Sequence, residues 1–218
     1  MKKTKTYVIL SLIILCSCVN SSVIITDLRC EYQNSPINID EQNPRFTWTY
    51  QTHKTRYEQT AYKLDIALSQ RDLEEGHFFW TSGKTKGNIN RAEYTGNEGL
   101  ESHTRYYWRV SSWDQNDQTY VSGIQCFETA MIKTSDWCAE WITDKEDKSF
   151  APAPIFRKTF LVEKEVVSAK LYISAASYYL LYLNGEKATD VKLDPGYTHY
   201  NKRNLYSTFD ISRLLQKG

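Results

Sequence analysis

The feature that most constrains this chain is a series of short runs in which aromatic and β-branched residues alternate with polar ones at period two. Side chains on an extended strand point alternately to opposite faces, so each run buries one face and wets the other. In QTAYKLDIALS, from Gln59, the residues Tyr62, Leu64, Ile66 and Leu68 share a face, while Lys63, Asp65 and Ala67 point away. In HTRYYWRVSSW, from His103, Tyr106, Trp108 and Val110 line one face and Arg105, Arg109 and Ser111 the other. VIITDLRCEY, PRFTWTY from Pro44 and VSGIQCFETA from Val121 are further strand candidates, and QNSPINIDEQNP, QRDLEEG and GNEGLES are the polar punctuation between runs. Short strands at regular spacing with turn signals between them predict a β-sandwich over residues 22–131. The 16 Tyr, 6 Trp and 8 Phe against only 2 Met favour β structure over a helix bundle.

A second β region is expected over residues 151–218. PAPIFRKTFLV, VVSAKLYISAA, YYLLYLNGEKATDV and NLYSTFDI are its strand candidates. Asn184-Gly185 between apolar runs signals a type I′ hairpin, because both turn positions need positive φ. Asp194-Pro195-Gly196 marks another tight turn, and Asp210 is placed to cap a short helical turn in ISRLLQ. Residues 132–150, with Trp137, Trp141 and the charge run DKEDK, read as a linker.

The N-terminus has a different character. Lys2, Lys3 and Lys5 precede a twelve-residue apolar run, YVILSLIILCSC, too short for a permanent membrane span and of the length of an export signal. Leu15-Cys16-Ser17-Cys18 resembles a bacterial lipobox, which makes Cys18 the lipidated residue and 1–17 the signal. An ordinary signal peptide cut nearby and a plain N-terminal anchor are the other readings of this segment. Loss of residues 1–17 removes three lysines and no acid, moving the net charge from +1 to −2. The expected membrane partner is therefore reached by an anchor rather than by electrostatics, in the envelope of a bacterium. A nucleic-acid partner is excluded by the absence of a basic excess.

Of the five cysteines, Cys30, Cys126 and Cys138 lie beyond the signal. None is spaced as a CxxC pair, so a zinc site is not expected. Cys30 and Cys126 read as small buried hydrophobes, although an exported protein can pair two of the three. No GxSxG, HExxH, P-loop or GxGxxG occurs. A calcium loop beginning at Asp114 would need glycine and glutamate where Thr119 and Gln125 stand, which leaves a tight polar turn. His53, His77, His103 and His199 stand apart from one another in polar or turn contexts. No cofactor or metal is implied.

One segment has the chemistry of a ligand contact. DPGYTHYNKR brings Asp194, Tyr197, His199, Tyr200, Lys202 and Arg203 onto a turn. Sugars are held by stacking on aromatic faces and by hydrogen bonds from polar side chains to hydroxyls, making Asp194, Tyr197, Tyr200 and Arg203 carbohydrate-binding candidates. The same composition also fits a structural role, in which the two tyrosines cover the end of a sandwich and Asp194 pairs with Arg203.

Leu100, Thr104, Tyr106, Trp108 and Val110 fall at the L-x-x-x-T-x-Y-x-Φ-x-Φ spacing of a fibronectin type III strand, with Tyr106 in the tyrosine-corner position and Trp48 as the core tryptophan. LRCEYQNSPINIDEQNPRFTW, QTAYKLDIALS, FFWTSGK, TRYYWRVSSWD and SDWCAEWI, in this order, resemble the N-terminal module of bacterial α-L-rhamnosidases of glycoside hydrolase family 78. YYLLYLNG and LDPGYTHYNKRNLY are similar to the jelly-roll-like second module of the same enzymes. The resemblance implies an all-β chain, a fibronectin type III or immunoglobulin-like sandwich followed by a partial jelly-roll-like sandwich. It also implies that the family's catalytic acid and base lie in an (α/α) barrel after these modules, so no catalytic residue is carried over and the second sandwich is expected to lack strands. No carboxylate pair stands out in the sequence as the roughly 6.5–9.5 Å pair of an inverting glycosidase. Rhamnose-containing glycans and a downstream catalytic domain are the implied partners. A stand-alone, lipid-anchored glycan- or protein-binding module is the alternative.

Overall fold

The computed structural model describes residues 22–144 and 153–218. The first β region runs β1 (Val23–Cys30), β2 (Arg45–Thr52), β3 (Gln59–Ala67), α1 (Gln70–Glu75), β4 (Trp80–Thr81), β5 (Thr85–Lys86), β6 (Arg91–Glu93), β7 (Arg105–Asp114), β8 (Thr119–Val121) and β9 (Gln125–Glu128). One sheet has the order β1-β2-β6. In the other, β3 pairs with β7, β4 and β5, and β7 pairs in turn with β8 and β9. These ladders are antiparallel, and the two sheets divide the strands as an immunoglobulin-like sandwich does.

The alternation seen in the sequence builds the core. Phe46 and Trp48 from β2 meet Leu64 and Ile66 from β3, Tyr106, Trp108 and Val110 from β7, and Phe127 from β9, all buried. The Phe46 ring stands edge-on to Trp108 at 4.8 Å and to Phe127 at 5.5 Å, an arrangement that aromatic quadrupoles favour. Tyr106 is fully buried, and its hydroxyl accepts the backbone N–H of Glu101 at 2.9 Å, tying the β7 entry to the preceding loop.

Several local expectations change. QRDLEEG is not simple punctuation, because Gln70–Glu75 form a helix. Ser69 accepts the Asp72 N–H at its start, Gly76 closes it at φ 84°, and Leu73 is buried, which are the cap chemistries that start and stop a helix. The faces of β3 also differ from the simple alternation. Leu68 is 54% exposed beyond the strand end, whereas Asp65 and Ala67 are fully buried. Asp65 faces away from the sandwich core as expected, but Lys63 at 3.0 Å, Arg109 at 3.8 Å and the Thr81 hydroxyl at 2.7 Å close over it. At the β7–β8 turn, the Asp114 carboxylate accepts the N–H groups of Asn116 and Gln118 at 2.9 and 3.0 Å. Burial raises the Asp114 carboxyl, but bonds from these two N–H groups and the Tyr120 hydroxyl, with the charge of Lys54, outweigh it and hold the group below its usual range.

The second region contains β10 (Lys170–Ser174), β11 (Tyr182–Leu183), β12 (Glu186–Lys187) and β13 (Tyr206–Asp210). β10 pairs with β13, and β11 with β12. Asn184 and Gly185 form the two-residue hairpin turn at φ 51° and 84°. PAPIFRKTFLV supplies no strand among its described residues, and YYLLYLNG supplies only Tyr182–Leu183. Ile155 is 95% exposed, and among the described residues beyond Ala130 the buried apolar side chains are Ile211 and Pro195 alone. With so little apolar burial, the driving force for extended pairing there is weak. The 3-10 turn Ser212–Leu214 starts from Ile211 rather than from Asp210 as its cap, although Asp210 accepts the Ser212 N–H at 3.0 Å just before it.

Polar bonds join the two regions. Lys170 bridges Asp210 of β13 and Glu128 of β9, and Glu128 also binds Arg105. The Tyr172 hydroxyl lies 2.9 Å from His103 Nδ1, and the Tyr206 hydroxyl accepts the Met131 N–H at 3.3 Å. At the start of the expected linker, Ser102 Oγ accepts the Ile132 N–H at 2.9 Å and donates to Asp136. Cys30, Cys126 and Cys138 are free thiols. Burial, then the Glu31 charge, pushes the Cys30 thiol well up, while Cys126 is only partly buried and Cys138 is exposed. The expected signal, Cys18 and residues 145–150 of the expected linker lie outside the described residues.

Candidate functional site

The turn between β12 and β13 is held from within. The Asp194–Pro195 peptide bond is cis, and Pro195 is buried. Backbone N–H groups of Lys202 and Arg203 both donate to the His199 carbonyl, at 2.7 and 3.0 Å. The Thr198 hydroxyl donates to the Arg203 carbonyl at 2.5 Å, and the Asn204 amide to the Tyr200 carbonyl at 3.1 Å. A loop tied by its own backbone carries its side chains in fixed positions, which is what a contact surface needs.

The four candidates divide into three places. Tyr197 and Tyr200 form an edge-on pair at 5.4 Å, with Tyr197 76% exposed. Burial, with Tyr178 and Tyr197 nearby, raises the Tyr200 phenol above its ordinary value. Asp194 lies behind them. One of its oxygens takes the Ser207 hydroxyl at 2.6 Å and the other takes the Tyr179 hydroxyl. Its partners are therefore these hydroxyls rather than Arg203, and its first effect is to fasten the turn to β13. Burial, then the bond to Asp194, pushes the Tyr179 phenol well up.

Arg203 enters no ion pair among the described residues, and with Asn38, Asp40, Asn204, Leu205, Tyr206 and Thr208 it lines a cleft between the two regions. The volume is about 160 Å³, below the roughly 300–1,000 Å³ of sites that enclose a whole small molecule. Asn38 and Asp40 come from QNSPINIDEQNP, which reads as punctuation in the sequence. Backbone bonds of Pro36 with Glu128, and of Ile39 with Glu128 and Ala130, hold that segment along the end of β9.

The fold is thus an immunoglobulin-like module joined through polar contacts to a smaller β module whose surface turn carries paired aromatics. Residues 25–133, half of the chain, match the family model described as Rha78A-like, N-terminal immunoglobulin domain, and residues 164–218 match that of the alpha-L-rhamnosidase N-terminal domain. The chain belongs to this family and corresponds to the N-terminal portion of α-L-rhamnosidases. An α-L-rhamnosidase of Formosa agariphila is 32% identical over 212 residues, covering 85% of this chain and 22% of that protein. One from an Alteromonas species is 30% identical, covering 99% of this chain and 25% of that protein. The solved α-L-rhamnosidase of Dictyoglumus thermophilum superposes with a TM-score of 0.82 at 33% identity, over 89% of this chain and 24% of that one. The chain therefore spans about a quarter of the length of the relatives it matches.

Proposed function

We propose that this chain is the exported front section of an α-L-rhamnosidase, where it scaffolds a catalytic domain and contacts rhamnose-containing glycans. The observation that carries this reading is the succession of two N-terminal family matches in one chain, with α-L-rhamnosidases about four times longer as relatives. The acid and base of hydrolysis then belong to downstream sequence, and the polar contacts around Lys170 and Tyr206 hold the two front modules together. The turn at Tyr197, Tyr200 and Arg203 supplies stacking and hydrogen bonds to a glycan, with Asp194 positioning it. Cys18 carries the lipid that keeps the protein at the bacterial envelope.

Joined in frame to a downstream helical domain, the chain should release rhamnose from p-nitrophenyl α-L-rhamnoside, and the 218-residue chain by itself should not exceed a buffer blank. Turnover by the 218-residue chain would overturn the assignment. Titration with L-rhamnose should weaken in Tyr197→Ala and Arg203→Ala, and an unchanged response in both removes the turn from the reading. Cys18→Ser should abolish palmitate labelling; labelling that persists eliminates the anchor.

A further inference from the structure

The sandwich holds a second, larger recess that the turn does not touch. β6 is the edge of one sheet, while β4 and β5 lie beyond β3 in the other. Between these edges runs a groove of about 330 Å³ lined by Tyr62, Trp80, Thr81, Ser82, Thr85, Ala92, Glu93 and Thr95. That volume lies within the range of small-molecule sites, and the lining mixes two aromatic rings with hydroxyls and one carboxylate.

The walls are fixed from behind. The Trp80 ring stands edge-on to Tyr94 at 5.0 Å, and Tyr62 lies 5.4 Å from buried Trp48. Gly96 packs its backbone directly on Trp80 and Tyr94: a Cβ there would sit 2.9 Å from Trp80 Cδ1 and overlap the Tyr94 hydroxyl. Thr81 Oγ1 is engaged by Asp65, and Ser82 Oγ accepts the Leu64 N–H at 2.9 Å. By contrast, the Trp80 indole N–H, the Tyr62 and Thr95 hydroxyls and the Glu93 carboxylate have no protein hydrogen-bond partner among the described residues, and none is a buried orphan. The groove therefore offers two partly exposed rings beside free donors and acceptors, and no cationic side chain lines it.

We propose that this groove binds a neutral saccharide, whose C–H face stacks on Trp80 and Tyr62 while its hydroxyls bond to Glu93, Thr95 and the indole N–H. A pyranose presents an apolar face and a polar rim together, which is the combination this lining requires. The unpaired Glu93 carboxylate disfavours an anionic sugar by like-charge repulsion. The site is independent of the turn at residues 194–203, which lies in the other module.

The test uses the full chain labelled with ¹⁵N, with the Trp80 indole signal assigned by its loss in Trp80→Phe. L-rhamnose and D-glucose should shift that signal with dissociation constants of about 1–10 mM, and D-galacturonate should bind about threefold or more weaker. Glu93→Gln should weaken the neutral sugars and narrow the gap to galacturonate, while Tyr197→Ala and Arg203→Ala leave the Trp80 response unchanged. Glu93→Gln and Thr95→Val, both at exposed positions, test the site without touching the packed Trp80. A Trp80 indole signal that stays still at about 50 mM of each neutral sugar, or a shift that persists undiminished in Glu93→Gln with Thr95→Val, overturns the proposal.

Discussion

Gln59→Leu should be among the most damaging single changes in the sandwich, because Gln59 is a buried polar staple between its two sheets. The side chain is 4% exposed. Its oxygen accepts the Trp48 indole N–H at 3.1 Å and the Tyr50 hydroxyl, and its amide donates to the Gly87 and Ile89 carbonyls at 3.1 Å each. Leucine matches the volume but makes none of these bonds. The Trp48 N–H retains the Tyr50 oxygen at 3.0 Å, which leaves two carbonyls and one hydroxyl without their partner. At roughly 1 kcal/mol for each lost bond, the cost is about 3 kcal/mol, a large share of the 5–15 kcal/mol typical of a folded domain. The melting temperature should fall by roughly 10 °C. Urea unfolding of the whole chain, followed by tryptophan fluorescence, measures it, with the slope expected to stay unchanged.

Gln59→Glu sharpens the same test. A carboxylate can accept from Trp48 and Tyr50 but cannot donate to either carbonyl, and burial raises its folded pKa above the unfolded value of about 4.3. The deficit relative to Gln59 should therefore be smallest below that unfolded value and widen as pH rises toward the folded one. A Gln59→Leu loss under about 0.5 kcal/mol, the ordinary scale of a surface change, would refute the staple.

Gly96→Ala should destabilise by about 1–3 kcal/mol through overpacking against Trp80 and Tyr94, and a melting temperature equal to that of the parent would count against that close approach. Lys170, and then Ser212, hold the Asp210 carboxyl well below the usual carboxylate range. Its contribution is therefore complete above the unfolded value of about 3.9 and lost as pH falls through the depressed folded one; thermal melts should show a smaller acid-induced drop for Asp210→Asn than for the parent. Lys170→Met severs the bridge between Asp210 and Glu128, so the Met131 amide, which donates to Tyr206, should exchange about tenfold faster or more. An unchanged rate would mean that the two regions are held together without that lysine.

What the sequence determined by itself rests on chemistry that acts over a few residues. Period-two alternation placed Tyr106, Trp108 and Val110 on one inward face, and Asn184-Gly185 specified its hairpin because two adjacent positive φ angles favour that pair. The helix at Gln70–Glu75 was also legible, since Ser69, Asp72 and Gly76 stand at cap spacing, but strand-like runs on either side hid it. The turn at Asp194–Arg203 could be found by composition, whereas its division into an exposed tyrosine pair, a tethering aspartate and an arginine at the cleft could not. Tertiary structure alone decided that Asp65 is buried under Lys63, Arg109 and Thr81, that Asn38 and Asp40 face Arg203, and that Tyr62 and Trp80 border one groove with Glu93. Each of these meetings joins separate strands or loops through sheet register and packing, and no local periodicity records which side chain will stand opposite which.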